Sequence, residues 1–205
     1  LRETVETFLS NNPDIDELEV LAVDICGHFF GKRYPIAKLK SFAKDGLAMP
    51  MSMFVLDTLG CPLSGITYGE DDGDPDAHFY LIADTLCIND WGSKPRAQVM
   101  ATSVQGDKPT FFEPRNVLLK VMDAFESHGW FPTVAFELEF YLFDAERDAQ
   151  DLIKLVRNPK TGRIDSPTVL SATRIADFES VIDDIIRSCN MQSIETGAIS
   201  AEMGA

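Results

Sequence analysis

Two glutamates at alternate positions could bind a metal ion. Glu137 and Glu139 lie in residues 133–143, an apolar and aromatic stretch whose composition predicts a β-strand. Because successive side chains of a strand point to opposite faces, both carboxylates lie on one face, one pleat repeat apart. Two adjacent carboxylates on a buried face repel each other and lose their hydration unless a cation lies between them.

The chemistry of the ligand atoms indicates which ion would bind. Carboxylate oxygens with no cysteine or histidine nearby favour a hard cation such as Mg²⁺ or Mn²⁺. The alternative is that this face of the sheet is exposed to solvent and that Glu137 and Glu139 are ordinary surface residues, since a half-exposed strand shows the same alternation. The spacing alone leaves both interpretations open.

Glu202 is the third candidate metal ligand. It is the last residue of the segment 192–202, whose pattern predicts a strand after an amphipathic helix. A strand–helix–strand arrangement could bring Glu202 beside Glu137 and Glu139. The alternative is that Glu202 is a simple charge at the end of a strand.

The elements of the first hundred residues predict a small unit of mixed helix and strand. In chain order they are a helix at 3–10, strands at 18–25 and 28–34, a helix at 36–44, and strands at 51–56, 79–82 and 95–103. Pro35 and Gly46 mark the two ends of the second helix. Residues 57–76 predict a long polar loop, of a length that is usually functional or mobile. This order of elements around one core resembles a ubiquitin-like β-grasp.

The second part of the chain begins near Phe112. Its first element is an amphipathic helix that begins at Pro114 and stops at Gly129. The elements that follow are the strand at 133–143, a polar excursion at 144–173, an amphipathic helix from Phe178 to Cys189, and the strand at 192–202. Together the two parts predict the α+β fold class.

Composition excludes several classes of protein. The 205 residues include 33 Asp+Glu and 18 Lys+Arg, and a formal net charge of −15 repels the nucleic-acid backbone. No apolar run approaches the roughly 20 residues that a membrane helix needs. The first ten residues do not resemble a signal peptide. We therefore expect a soluble, cytoplasmic protein that binds neither nucleic acid nor membrane, and, because the chain starts at Leu1 rather than Met, we expect both of its ends to be truncated.

Cysteine and histidine provide no evident site in the sequence. The four cysteines form no CxxC pair and have no histidine nearby at zinc-ligand spacing, which predicts reduced and mostly structural thiols. His28, His78 and His128 have no nucleophile or base partner that the sequence makes visible.

Several motifs carry a resemblance to a known family. Residues 136–144, Phe-Glu-Leu-Glu-Phe-Tyr-Leu-Phe-Asp, resemble the E-x-E-F-x-L-F-D strand of the glutamine synthetase family. Weaker motifs agree with that family in the same order along nearly the whole chain. They are Val23-Asp24-Ile25-Cys26-Gly27 with Gly31-Lys32-Arg33, Asp84-Thr85-Leu86 through Trp91, Arg96-Ala97-Gln98-Val99, and Ala201-Glu202-Met203-Gly204-Ala205.

The resemblance implies a fold and an activity. It implies an N-terminal β-grasp domain at residues 1–107 and, at residues 108–205, part of an ATP:guanido-kinase-like catalytic domain with a mainly antiparallel sheet. In that family the active sites lie between neighbouring subunits of a large homo-oligomer, such as a dodecamer-like double ring. ATP phosphorylates the γ-carboxylate of L-glutamate, and an amine or ammonia then displaces the phosphate. Such phosphoryl transfer depends mostly on positioning and on metal ions that neutralise charge.

The resemblance also implies roles for the three glutamates. Glu139 and Glu202 would hold Mg²⁺ or Mn²⁺ beside the glutamate substrate, and Glu137 would hold the ion that bridges the nucleotide phosphates. The family's remaining metal ligands and substrate arginines lie beyond Ala205, so we expect the 205-residue chain alone to be inactive. The residues that contact ATP are left unassigned.

One loop departs from the glutamine synthetase pattern. Where that family has Asp-Gly-Ser-Ser, residues 56–62 are Leu-Asp-Thr-Leu-Gly-Cys-Pro. This form resembles the γ-glutamylpolyamine (glutamate–putrescine) synthetases, the branch that joins glutamate to larger amines. Asp57 is then the candidate for orienting or deprotonating the amine. The alternative is an aspartate that only forms a turn after a strand.

Three functions remain open at this point. The first is a carbon–nitrogen ligase that joins glutamate to a polyamine such as putrescine or to another organic amine, with ATP and Mg²⁺ or Mn²⁺. The second is glutamine synthetase, with ammonia as the acceptor. The third is a non-catalytic member of the family that is kept for structure, and the retention of Glu137, Glu139 and Glu202 argues against it.

Overall fold

A computed structural model describes residues 1–61, 63–66, 68, 72–164 and 168–202. The chain divides into two compact units, Leu1–Pro132 and Thr133–Ala205. Pro62 of the loop motif and Met203 to Ala205 of the last motif lie outside the described residues. No helix in the described part of the chain is both long enough and apolar enough to cross a membrane.

The first unit is built on a mixed sheet. Its strands are β1 (Glu17–Val23), β2 (Phe29–Pro35), β3 (Leu47–Pro50), β4 (Asp76–Leu81), β5 (Cys87–Asn89), β6 (Arg96–Gln105) and β7 (Lys108–Pro109). The central order is β2-β1-β6-β4-β3, and β5 and β7 also pair with β6. The β1–β6 pair is parallel and the other pairs are antiparallel.

Three helices belong to this unit: α1 (Arg2–Asn11), α2 (Leu39–Asp45) and α3 (Pro114–Ser127). The predictions of all three helices are confirmed, although the first turn of the second helix, Ile36–Lys38, is a 3₁₀ turn. Gly46 and Gly129 end α2 and α3 at φ values of +70°, a conformation that glycine adopts without steric cost.

The predicted hairpin at the start of the sheet is also confirmed. β1 and β2 pair antiparallel from Glu17 opposite Pro35 to Val23 opposite Phe29. Apolar residues of β1 alternate into the core, where Leu18, Val20 and Ala22 are almost fully buried. Burial of a side chain as large as that of Leu18 or Val20 stabilises the fold by about 1.5–3 kcal/mol, because apolar surface leaves water.

The predicted strand at 51–56 is wrong. Met51–Val55 form a 3₁₀ helix, and β3 ends just before them at Pro50. Met51 and Phe54, three residues apart, are both buried, and the Phe54 ring stacks on Phe79 at 5.7 Å between centroids. A spacing of three matches one turn of a 3₁₀ helix. A short apolar run does not by itself distinguish a buried strand from a buried helical turn.

A buried polar network fastens the start of α3 to β6. Glu113 Oε2 accepts hydrogen bonds from the backbone N–H and hydroxyl of Ser103, both at 2.7 Å, and from the Asn116 amide at 2.9 Å. The same amide donates to the carbonyl oxygens of Ser103 and Thr110 at 3.1 Å. The network explains how polar groups are tolerated at this buried position. The predicted domain boundary at 107/108 lies between β6 and β7 and stays a prediction.

We expect Asn116→Ala to lower the free energy of unfolding by about 1–3 kcal/mol, because the substitution leaves buried acceptors without their donor. Arg115→Ala is the matched control, since Arg115 is exposed on the same turn of helix. The measurement is urea unfolding of the two variants and the parent protein. Equal stability of both variants would show that the network contributes nothing.

The second unit contains a hairpin and two helices. These are β8 (Phe143–Arg147), paired antiparallel with β9 (Ile153–Leu155), and the helices α4 (Ala172–Asp177) and α5 (Glu179–Met191). The predicted amphipathic helix from Phe178 to Cys189 is confirmed as α5. Apart from Phe143, the hairpin lies within the segment 144–173, for which the sequence predicted only a polar excursion.

Two predicted strands of this unit are wrong. Residues 133–142 form no strand, and Phe143 alone of the predicted stretch enters β8. Residues 192–202 likewise form no strand. In the described part of the chain neither segment pairs with another strand, and Phe136 and Leu138 are each 90% exposed. Alternation predicts which side chains would share a face, but a strand also needs a hydrogen-bonded neighbour.

Candidate functional site

Asp57 lies in the first unit, directly after the 3₁₀ helix, and its carboxylate shapes its own loop. Oδ1 accepts hydrogen bonds from the backbone N–H groups of Leu59, at 2.8 Å, and Cys61, at 2.9 Å. The loop is closed by the Asp57 N–H, which donates to the Cys61 carbonyl oxygen at 2.9 Å. The turn-forming role is therefore present, and Oδ2 takes no part in these bonds.

An apolar recess lies in the same unit as Asp57. Its volume is about 320 Å³, and its lining consists of Val55, Gly65, Ile66, Tyr68, Phe111 and Phe112. The rings of Tyr68 and Phe112 lie 4.6 Å apart between centroids. One of the lining residues, Val55, precedes Asp57 by two residues in the chain. Such a recess can contact hydrocarbon but offers few polar partners.

The three predicted metal ligands lie in the second unit and are all exposed. Glu137 and Glu139 are in the segment without regular secondary structure that precedes β8. Glu202 Oε1 accepts a hydrogen bond from the Ser200 hydroxyl at 2.7 Å. The backbone beside Glu202 is held by a 2.7 Å hydrogen bond from the Leu170 N–H to the Ala201 carbonyl oxygen.

The structure does not gather these three carboxylates. A single group of three possible ligand residues occurs among the described residues with ligand atoms within 4.8 Å of one another, and it does not include Glu137, Glu139 or Glu202. Their oxygen atoms suit Mg²⁺ or Mn²⁺ by chemistry. Their arrangement in this chain is not a coordination sphere. Their role as ligands therefore stays a prediction.

The group that the structure does assemble is Asp24, Cys26 and His28, in the turn between β1 and β2. Asp24 is only 5% exposed, and its Oδ1 accepts the backbone N–H groups of Cys26 and His28, each at 2.8 Å. Its Oδ2 lies 3.1 Å from His28 Nδ1. The sequence made no nucleophile or base partner of His28 visible, and the structure places the Asp24 carboxylate beside its ring. The signal in the sequence was the spacing of Asp24, Cys26 and His28, which lie two residues apart across the predicted hairpin turn.

Charge pairs also lie at the start of the paired strands β1 and β6. Glu17 receives hydrogen bonds from Lys94 Nζ at 2.8 Å and from Arg96 Nε at 2.6 Å. Lys94, and then Arg96, hold the pKa of the Glu17 carboxyl below its usual range, and Glu17 and Asp16 raise the pKa of Lys94. In the second unit the Glu146 backbone N–H, and then Lys154, lower the pKa of Asp144.

The lowered pKa of Glu17 predicts the direction of a pH effect. A carboxyl whose pKa is lower in the folded state stabilises the fold above its unfolded pKa, and this contribution is lost as the pH falls through the folded value. We expect Glu17→Gln to lower Tm at pH 7, and we expect the difference from the parent protein to disappear in acid, below the folded pKa of Glu17. Glu3→Gln, at an exposed position of α1, is the control. A Tm difference that persists in acid would contradict the charge explanation.

Comparison with known proteins identifies the class. Residues 111–205 match the glutamine synthetase catalytic domain. Solved structures of this fold superpose on most of the chain, with sequence identities that show the fold alone. A novel glutamine synthase homolog has a TM-score of 0.64 at 12% identity, covering 93% of this chain and 41% of its own. The glutamine synthetase of Plasmodium falciparum has a TM-score of 0.64 at 12% identity, covering 98% and 42%. The chain belongs to the glutamine synthetase family.

Two curated relatives are similar to this chain. Gamma-glutamylputrescine synthetase PuuA of Escherichia coli (strain K12) is 33% identical over 202 residues, which are 98% of this chain and 43% of the relative. Glutamate–isopropylamine ligase of a Pseudomonas species is 29% identical over 142 residues, which are 68% of this chain and 31% of the relative. The chain thus spans less than half the length of the curated relatives it matches.

Proposed function

We propose that this chain is part of an ATP-dependent ligase that joins L-glutamate to an organic amine, such as the polyamine putrescine, through γ-glutamyl phosphate. The observation that carries the proposal is the 33% identity, over nearly the whole chain, to a γ-glutamylputrescine synthetase. The second relative supports the same reaction class, since it too is by name a ligase of glutamate and an amine.

The loop around Asp57 supports an organic amine as the acceptor. Oδ1 is committed to the backbone of the loop, so the carboxylate is held in a fixed orientation without help from substrate. We propose that its second oxygen binds the amine and accepts a proton from it. We propose that the apolar recess, with Val55, Tyr68 and Phe112 in its lining, contacts the hydrocarbon part of that amine. Ammonia has no hydrocarbon part, and for this reason we propose glutamine synthetase only as the second candidate function.

We propose Glu137, Glu139 and Glu202 as ligands of Mg²⁺ or Mn²⁺. A bound divalent cation would neutralise charge on the nucleotide phosphates and on the glutamate carboxylate. The family uses ATP and divalent metals in general. The carboxylates are accessible in the second unit, so they can bind an ion without the loss of a described contact that stabilises the fold.

The assembly and the domain organisation are also proposals. We propose a β-grasp domain at residues 1–107, which the parallel β1–β6 pair inside an otherwise antiparallel sheet supports. Residues 108–205 would then be part of the catalytic domain, consistent with the match from residue 111 onward. The whole protein would form a homo-oligomer with a dodecamer-like double ring, in which subunits share active sites.

Phosphate release tests this function. The full-length protein that carries this chain is assayed with ATP, Mn²⁺ and glutamate, against ammonia and a panel of mono- and polyamines. Release that requires both glutamate and one organic amine supports the ligase and identifies its acceptor. Faster release with ammonia than with any amine would establish glutamine synthetase instead. No release from a folded, assembled protein would favour the non-catalytic alternative.

A further inference from the structure

The turn between β1 and β2 brings together three different kinds of metal ligand. A carboxylate oxygen of Asp24, the thiol of Cys26 and a ring nitrogen of His28 lie within 4.8 Å of one another. We propose that this turn binds one transition-metal ion of borderline softness, of which Zn²⁺ is the typical case. The proposal does not depend on the ligase activity, and none of the three residues belongs to the carboxylate set proposed for Mg²⁺ or Mn²⁺.

The backbone of the hairpin explains why residues two apart converge. β1 ends at Val23 and β2 begins at Phe29, so five residues reverse the chain. The Asp24 N–H donates to the His28 carbonyl oxygen at 3.1 Å, and the Gly27 N–H donates to the Asp24 carbonyl oxygen at 3.1 Å. Gly27 has a φ of +80°, in the left-handed region that glycine adopts without steric cost. The reversal places the side chains of Asp24, Cys26 and His28 on one side of the turn.

The carboxylate of Asp24 is preorganised for an ion. It is nearly buried, and Oδ1 accepts two backbone N–H groups of the turn at 2.8 Å. Oδ2 therefore points to His28 Nδ1, at 3.1 Å. Ligand atoms that share a tetrahedral Zn²⁺ at its usual bond lengths are about 3.3 Å apart. The 3.1 Å between Asp24 Oδ2 and His28 Nδ1 therefore needs little adjustment for both atoms to bind one ion.

The donor set selects the kind of metal. Thiolate and imidazole favour zinc and its transition-metal neighbours, whereas Mg²⁺ and Ca²⁺ prefer sites made only of oxygen. Three protein ligands would leave a fourth position for water or another ligand. Cys26 and His28 are exposed, so an ion can reach the site from solvent. The Cys26 thiol loses its proton when it binds, as metal-bound cysteines do.

The competing explanation is an Asp24–His28 pair that only stabilises the turn. Cobalt separates the two explanations, because Co²⁺ replaces Zn²⁺ in such sites and a thiolate bound to cobalt absorbs in the near ultraviolet. Titration of the protein under reducing conditions should produce this band with one equivalent of Co²⁺. Added Zn²⁺ should abolish the band, and excess Mg²⁺ should leave it unchanged.

Variants of exposed residues test the assignment without disturbing the fold. Cys26→Ser should abolish the band. His28→Gln should weaken Co²⁺ binding by more than roughly 10- to 100-fold, which is the loss expected when a residue that only hydrogen-bonds to a metal ligand is removed. Cys61→Ser is the matched control, since Cys61 is also exposed and lies in the same unit. Circular dichroism checks that each variant is folded. Absence of the band in the parent protein, its persistence in Cys26→Ser, or its loss in Cys61→Ser would overturn the proposal.

Discussion

Glu139→Gln in the full-length protein is expected to lower kcat for glutamate-dependent phosphate release by about 100- to 1,000-fold, the cost of removing one group that stabilises transition-state charge. The substitution keeps the size of the side chain and removes its negative charge. Because Glu139 is exposed in the structure, the change removes no buried contact, so lost activity would not arise from unfolding. The measurement is phosphate release at saturating ATP and amine, together with Mn²⁺ affinity.

The partner and control variants make this result specific. Glu137→Gln should act chiefly through the nucleotide and raise KM for ATP, whereas Glu139→Gln should act chiefly through the ion beside glutamate. Glu126→Gln, at an exposed position of α3 outside the proposed metal site, should change neither value. If Glu139→Gln retained both full activity and the Mn²⁺ affinity of the parent, the carboxylates would be the surface residues of the alternative interpretation.

Asp57→Asn is expected to lower kcat/KM for the amine by about 10²- to 10⁴-fold, the usual contribution of a general base. Asparagine keeps an oxygen that can accept the N–H groups of Leu59 and Cys61, so the loop retains its shape. What it loses is the charge and the ability to accept a proton. In the proposed reaction γ-glutamyl phosphate and ADP form before the amine displaces phosphate, so this first step should proceed almost normally. Single-turnover formation of ADP without amine, compared with phosphate release in the presence of amine, measures the two steps separately.

The control for this prediction is Asp14→Asn, at an exposed position before β1, which should leave both steps unchanged. Asp57→Ala adds a second comparison, because alanine removes the acceptor that holds the loop as well as the charge. Equal losses in Asp57→Asn and Asp57→Ala would locate the role in the carboxylate. A loss in Asp57→Ala alone would show that Asp57 only forms the turn.

The two predictions together distinguish the three candidate functions. A ligase for organic amines should require Glu139 for phosphate release and Asp57 for use of the amine. Glutamine synthetase should show the same requirement with ammonia as the preferred acceptor. A non-catalytic member of the family would release no phosphate as the parent protein, so neither substitution could lower the release.

Local sequence determined those elements whose signals lie within one stretch of chain. Helix α2 lies between Pro35 and Gly46, α3 lies between Pro114 and Gly129, and the β1–β2 hairpin reverses at Gly27. In each case a residue with a restricted or permissive backbone marks the end of the element, so no distant contact is needed to predict it. The membership of the family was likewise carried by short motifs in order along the chain.

Tertiary structure alone decided the elements and groupings that depend on a partner. Residues 51–55 are apolar enough for a strand, but they form a 3₁₀ helix in which Phe54 stacks on Phe79. Residues 133–142 alternate like a strand and yet form none among the described residues, because a strand exists only through hydrogen bonds to a neighbour. The convergence of Asp24, Cys26 and His28 arose from the geometry of a turn. Sequence patterns report the preference of each residue, whereas pairing and convergence are properties of chain segments brought together in space.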